Sequence, residues 1–268
     1  MKWTTDLATS AEALIREVGA WIQMERRNFQ SDAVETKSLN ALVSYVDRKA
    51  EARLVAGLSK LIPSSGFLGE EGEYPWNEGG YNWIIDPLDG TTNFIHSLPP
   101  YAISVALMEG DALRWACIFE LGQGHVFTAS QGEGAFCEGQ RLKVSDRTMA
   151  ESLVATGFPY YDFSEMGPYL AVLQACFKGS RGVRRFGSAA TDLAWVADDR
   201  FQAFFEHGLA PWDVAAGILI VREAGGVATT FSGACPSDLE LINARQLVAG
   251  HPKAHATLVE WTQTHFQA

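Results

Sequence analysis

The sequence predicts a mixed α/β (α+β) protein in two parts, residues 1–145 and 146–268, with a seam near residue 146. Three observations carry that prediction. Apolar residues recur at three- and four-residue steps through two early segments, as amphipathic helices require. Between Trp83 and Cys137 short apolar runs are separated by Gly, Asp and Asn, a pattern of strands and tight turns. Beyond the seam, helical and strand patterns alternate.

In chain order, Trp3, Leu7, Ala11, Leu14, Ile15, Val18 and Ile22 form one stripe of a helix over residues 4–27. Gln30–Asn40 is polar and aperiodic, which predicts a loop. Ala50, Leu54, Leu58 and Leu61 share a face of a second helix, Asp47–Leu61. Ile62-Pro63 closes it, because the residue before a proline is driven out of the helical region. Trp83–Ile85, Ile103–Glu109, Leu113–Glu120, His125–Ala129 and Ala135–Cys137 read as the strands of an antiparallel meander. Ser164–Phe177 and Ala189–Ala197 read as helices and Phe201–Glu206 as a strand. Val214–Ala224 is a helix that Gly225-Gly226 can close with a left-handed cap, and Ala254–Thr264 is the last helix.

Composition narrows the class. With 21 basic and 32 acidic residues the net charge is −11, which argues against nucleic acid or an anionic membrane surface as partner. No apolar run approaches the roughly 18 residues needed to span a bilayer. Asp6, Glu12 and Arg16 interrupt the N-terminal apolar residues, unlike a signal peptide. Cys117, Cys137, Cys176 and Cys235 are far apart, as expected of reduced, buried thiols in a cytoplasmic protein. HExxH, GxxxxGK[ST] and GxSxG are all missing, so zinc hydrolysis, P-loop chemistry and serine hydrolysis have no support.

The most unusual stretch is Trp83-Ile84-Ile85-Asp86-Pro87-Leu88-Asp89-Gly90-Thr91-Thr92-Asn93-Phe94. An apolar strand here ends in Asp-Pro, and the proline, with φ fixed at about −65°, bends the chain between two carboxylates. Both can point into one small space, where they repel unless a cation lies between them or one is protonated. Gly90-Thr91-Thr92 leaves backbone N–H groups free at a helix start, where anions bind well. Carboxylates for a hard divalent cation beside amides for a phosphate make a metal-dependent phosphoryl-transfer site. The plainer alternative is a strand-to-helix turn with Thr91 or Thr92 as N-cap; an isolated Asp-Pro or Asp-Gly favours that alternative, and the whole string favours the site. Upstream, Gly69-Glu70-Glu71-Gly72 on its own reads as a solvated turn. Downstream, Asp213 in Pro211-Trp212-Asp213-Val214 reads equally as a helix cap, a role that leaves its second oxygen for a metal.

Taken together, GEE, WIIDPLDGTTNF and PWDVAAG…EAGG resemble the motifs of the inositol monophosphatase family, in order and spacing. TKSLNALVSYVD, GEGAFCEGQRLKVS and RRFGSAATDLAW extend the resemblance over most of the chain. It implies a layered αβαβα sandwich and a lithium-sensitive phosphomonoesterase using two or three Mg²⁺ ions. Glu70, Asp86 and the Leu88 carbonyl would hold the first ion, Asp86, Asp89 and Asp213 the second, and Glu70 with waters a third. Glu70 and Thr91, the latter held by Asp47, would activate the attacking water. The amides of Gly90 and Thr91 would cradle the phosphate, and Asp89, Ala189, Glu206 and Asp213 would meet the alcohol. By this reading the first part carries most metal ligands, and the second adds Asp213 and substrate contacts. Asp47 as an early-helix acid, Glu206 as a strand end and Ala189 as a packing position are the plainer alternatives.

The chain departs from the family at Ala41, where many relatives carry an acid, which bears on the third ion and on Lys37 in the nearby loop. Asp198-Asp199 replaces a common glycine turn and reads as a surface change. The expected substrate is inositol 1-phosphate or a similar polyol phosphate, a small-molecule monoester, and the expected assembly a cytoplasmic homodimer. Thr92-Asn93-Phe94 points to the inositol branch over related phosphatases for 3′-phosphoadenosine 5′-phosphate, fructose 1,6-bisphosphate or histidinol phosphate. A non-catalytic regulatory member of the fold is the other alternative.

Overall fold

A computed structural model describes residues 3–28, 34–38, 41–159 and 163–266, with only the backbone for residues 34–38 and 41–43. The first helix, α1 (Thr5–Asn28), buries Ala11, Ile15, Val18 and Ile22, the stripe read from their spacing. β1 (Val34–Ser38) and β2 (Ala41–Ser44) pair antiparallel. Part of the segment expected to be a loop, Val34–Ser38, is therefore a strand: Val34 and Thr36 are β-branched, and pairing with Ala41–Ser44 outweighs the polar composition. The Lys37 and Ala41 side chains lie outside the described residues, as do the remaining loop positions 30–33 and 39–40.

α2 (Tyr45–Leu61) starts at a capping box in which Ser44 Oγ accepts from Val46 N and Asp47 reaches back to the Ser44 amide. A seven-stranded sheet follows, ordered β3 (Gly66–Gly69), β4 (Tyr81–Asp89), β5 (Ala102–Glu109), β6 (Ala112–Glu120), β7 (His125–Ser130), β8 (Gly134–Cys137) and β9 (Gln140–Arg141). β3 and β4 are parallel, and the remainder is the expected antiparallel meander. Short α3 (Thr91–Ile95) leaves the end of β4.

The second sheet contains β10 (Leu153–Thr156), β11 (Gly182–Arg184), β12 (Ala203–His207), β13 (Val227–Thr229) and β14 (Gln246–Gly250), in the order β11-β10-β12-β14-β13. Its helices are α4 (Met166–Gly179), α5 (Ala189–Ala197), α6 (Pro211–Glu223), α7 (Asp238–Asn243) and α8 (Pro252–His265).

Alternation along the strands sorts the core into layers. Trp83, Ile85, Val105, Leu107 and Trp115 pack with Ile15, Ile22, Leu54 and Leu58 of α1 and α2. Ile84, Ala106, Ala116 and Ile118 face the other way and meet Leu193, Ala194, Ile218 and Val221 of α5 and α6. That same cluster takes in Phe204 and Ala249 of the smaller sheet. Their strand neighbours Ala203, Phe205 and Val248 point outward onto Tyr169, Val172, Cys176 and Leu258 of α4 and α8. The layers are thus helix, sheet, helix, sheet, helix: an αβαβα sandwich. Among the described residues no helix is long and apolar enough to cross a membrane.

The four cysteines are unpaired; Cys117 and Cys176 are buried, Cys137 is half-buried, and Cys235 departs from expectation by being exposed. Asp199 is more than a surface change. At φ +59 it occupies the left-handed conformation that a glycine usually supplies, and its Oδ1 accepts from Ser145 Oγ at 2.8 Å.

Candidate active site

The end of β4 explains how two aspartates three apart share a face. In a regular strand residues 86 and 89 would point to opposite sides. The register slips here: Asp86 lies opposite Ser104 but Asp89 lies opposite Ala102, so β4 carries one extra residue in a bulge. The strand therefore runs through Pro87 to Asp89, past the point where the sequence places its end. Pro87 is tolerated because a bulge interrupts the ladder of N–H donors that proline lacks. Beyond it, Gly90 adopts φ +88 as N-cap of α3, the position the sequence offers to Thr91 or Thr92. A side chain there would also crowd the carbonyls of Pro100 and Gly187, at 3.1 and 3.2 Å.

Thr91 is thereby free for another bond. Its hydroxyl lies 2.8 Å from Asp47 Oδ1 and 3.0 Å from the Leu88 carbonyl. Asp47 is fully buried, and its other oxygen accepts the Ser44 amide at 2.9 Å and the Ser44 hydroxyl at 2.6 Å.

A cavity of about 570 Å³ opens beside this turn. Glu70, Asp86, Leu88, Asp89, Gly90, Thr91, Ala189, Glu206 and Asp213 all line it; of the residues singled out in the sequence, Asp47 stands one hydrogen bond behind. The acids are aimed by their surroundings. Asp86 Oδ1 accepts the Leu88 amide at 2.9 Å. Asp89 Oδ2 accepts Ser188 Oγ at 2.6 Å and the Ala190 amide at 2.8 Å. Asp213 is the third residue of α6 and not its N-cap, which is Ala210; its Oδ2 reaches back to accept the Ala210 amide at 2.7 Å. A carboxylate has about four acceptor sites, so these bonds orient the groups without exhausting them.

Burial and crowding together disfavour charge. Burial first, then repulsion from Glu70, Asp89 and Asp213, pushes Asp86 well above the usual carboxylate range. Asp213 is raised by burial and by Asp89. Burial lifts Asp89 to about 6 against the pull of its Ser188 and Ala190 donors, and lifts Glu206 to about 8 with help from Asp213 and Asp89. Among the described residues no three acid, histidine or cysteine side chains are drawn into a closed ligand set. Mutual repulsion holds metal-free acids apart, and Mg²⁺ takes only a few carboxylates, completing its shell with water. The hard oxygen donors and their excess of negative charge fit such an ion.

Several residues in or behind the cavity wall have no counterpart in the sequence reading. Glu51 on α2 is buried and holds the strand-to-loop turn that carries Glu70: it accepts the Glu71 amide and the Tyr74 hydroxyl, both at 2.9 Å. Ser188 caps α5 and steadies Asp89. Arg185 lines the cavity with its guanidinium 5.7 Å from the Phe158 ring centroid, and lowers the proton affinity of Asp89, Asp192 and Glu206. Asp192 lines the cavity one helical turn from Ala189. Only Ser188, in the GSA segment ahead of a helix, has a local signal that could have revealed it.

The sequence model of the inositol monophosphatase family matches residues 3–267. An inositol-1-monophosphatase of Rhizobium meliloti is 42% identical over 226 residues, 84% of this chain and 82% of that protein. The Nus factor SuhB of Pseudomonas aeruginosa is 41% identical over 239 residues, 87% of each chain. The solved structure of the Thermotoga maritima IMPase superposes with a TM-score of 0.85 at 31% identity, covering 97% of this chain and 98% of that one.

Proposed function

The chain belongs to the inositol monophosphatase family, and from that premise we propose a Mg²⁺-dependent phosphomonoesterase that hydrolyses inositol 1-phosphate or a similar polyol phosphate. The observation that carries the reading is the meeting of Glu70, Asp86, Asp89 and Asp213 around one cavity, beside a threonine whose hydroxyl lies against Asp47 and the Leu88 carbonyl.

Glu70, Asp86, the Leu88 carbonyl, Asp89 and Asp213 would hold two or three Mg²⁺ ions. When bound, these ions neutralise charge on the phosphoryl group and activate a water for attack. The protein's own groups prepare the rest. Because Thr91 donates to Asp47, its oxygen presents lone pairs to the cavity and can accept a hydrogen bond from the attacking water; Glu70 is the second acceptor for that proton. The amides of Gly90 and Thr91, at a helix start where N–H groups lack intrahelical partners, face the phosphate oxygens. Ala189, Glu206 and the outer part of Asp89 and Asp213 are left for the alcohol.

Phosphate release tests this directly. Inositol 1-phosphate, fructose 1,6-bisphosphate, histidinol phosphate and 3′-phosphoadenosine 5′-phosphate would be compared in Mg²⁺ and in EDTA. The reading expects Mg²⁺-dependent turnover led by inositol 1-phosphate and inhibited by lithium. Folded protein with no turnover in Mg²⁺ would contradict it. A second reading, a Nus-factor role of the kind named for the Pseudomonas aeruginosa relative, is supported by that similarity and is compatible with an active phosphatase.

The assembly we favour is a cytoplasmic homodimer. Phe163, Leu170 and Phe177 expose 53, 50 and 62% of their surface at and along α4, an apolar stripe that a second copy would cover. Sedimentation at micromolar concentration should give twice the chain mass, and Phe177→Glu should shift it to the monomer.

A further inference from the structure

Asp192 is a buried acid that the proposed chemistry does not use. It is 1% exposed, yet its Oδ1 has no hydrogen-bond partner, and it lines the cavity. Buried polar atoms are nearly always partnered, because an unmade bond forfeits the hydration given up on folding. Helix capping does not account for it, since Ser188 already caps α5. The charged groups that act on it are Glu206, Asp89 and Arg185. It shares a helix face with Ala189, three residues earlier, and both line the same wall.

Glu206 comes to that wall by a second accommodation. A Cβ at Gly157 would fall 1.8 Å from Glu206 Oε1, so the glycine leaves the space that the carboxyl occupies. Two acids on different elements, α5 and β12, thus line one cavity and act on each other electrostatically, with Arg185 as the nearby cation. Burial raises the proton affinity of both, Glu206 to about 8, and a carboxyl group accepts hydrogen bonds and, when protonated, donates one. An alcohol hydroxyl also does both.

We propose that Asp192 is a specificity-determining residue that, with Glu206, binds hydroxyl groups of a polyhydroxylated alcohol and so separates polyol monophosphates from monoesters without hydroxyls. This rests on the phosphatase reading and assigns to that site a contact which the sequence motifs do not.

The test compares wild type, Asp192→Ala and Asp192→Asn on inositol 1-phosphate and on p-nitrophenyl phosphate, whose leaving group has no alcohol hydroxyl. In Asp192→Ala, the ratio of kcat/KM for inositol 1-phosphate to that for p-nitrophenyl phosphate should fall about tenfold or more, mainly through KM. Asp192→Asn, which keeps donor and acceptor atoms, should recover part of the ratio. The melting temperature of both should stay or rise, because an unsatisfied buried acid is removed. An unchanged ratio, with both substrates losing equally or neither losing, would overturn the role of Asp192 while leaving the phosphatase reading intact. Wild-type protein inactive on both substrates in Mg²⁺ would overturn the reading beneath it as well.

Discussion

The cavity has two unlike walls. On one, Asp86, Asp89 and Asp213 are each tied by an oxygen to a backbone amide, at the end of β4 and the start of α6. On the other, Asp192 keeps an oxygen with no partner, and Glu206 fills the space above a glycine. The first wall is built to hold charge in fixed directions and needs a cation to relieve repulsion. The second leaves the bonding capacity of a buried acid open, suited to a ligand that carries hydroxyl groups. Rigid anchoring and unmet bonding capacity are different preparations for different partners.

The sharpest way to separate the walls is Asp89→Asn. The amide retains an acceptor for Ser188 and Ala190 but loses the charge, so turnover should fall by roughly three orders of magnitude while the melting temperature stays or rises. Near-wild-type activity would remove the metal role from that wall. Next in size is Thr91→Val, which removes the hydroxyl that meets Asp47 and should cost about a hundredfold in kcat with KM little changed. Equal losses in binding would show a structural role instead.

Glu51→Gln probes how the first wall is positioned from outside. Weakening its bonds to the Glu71 amide and Tyr74 should raise the Mg²⁺ concentration for half-maximal activity about tenfold, with kcat at saturating Mg²⁺ falling less. A loss of kcat alone would contradict that role.

The smallest effect belongs to the second wall and is a matter of pH. Glu206 is raised from 4.5 to about 8 in the fold, so the folded protein holds this proton more tightly than the unfolded chain. The stability it lends is present below the unfolded value and is lost as pH rises towards 8. Thermal unfolding of metal-free protein should therefore drop on the order of 5 °C or more between pH 5 and pH 8, and Glu206→Gln should make the drop shallower, the remainder belonging to Asp86, Asp89, Asp192 and Asp213, which burial also raises. An equally steep profile in the variant would assign the proton elsewhere.

The two walls also differ in how far they could be read in advance. Glu70, Asp86, Asp89, Thr91 and Asp213 sit in short segments whose residue types already pose a chemical problem, acids forced together beside free amides. Asp192, Arg185 and Glu51 sit in ordinary helical or loop sequence, and only the crossing of α5, β12 and α2 around the cavity gives them a role. The same holds for the fold. Helices with a clean apolar stripe, such as α1 and α2, were legible from spacing, whereas β1 depends on a partner strand and its polar residues carry no period. The β4 bulge was hidden too, since Asp-Pro reads as a strand end unless the register against β5 is known.

Anchored acids that form a Mg²⁺ site should reveal it in a calorimetric titration of metal-free protein with Mg²⁺ at pH 8. Wild type should bind two or more ions, and Asp86→Asn, which removes the acid assigned to both principal ions, should bind at most one weakly. Matching isotherms for the two proteins, or no heat of binding in wild type, would contradict the account.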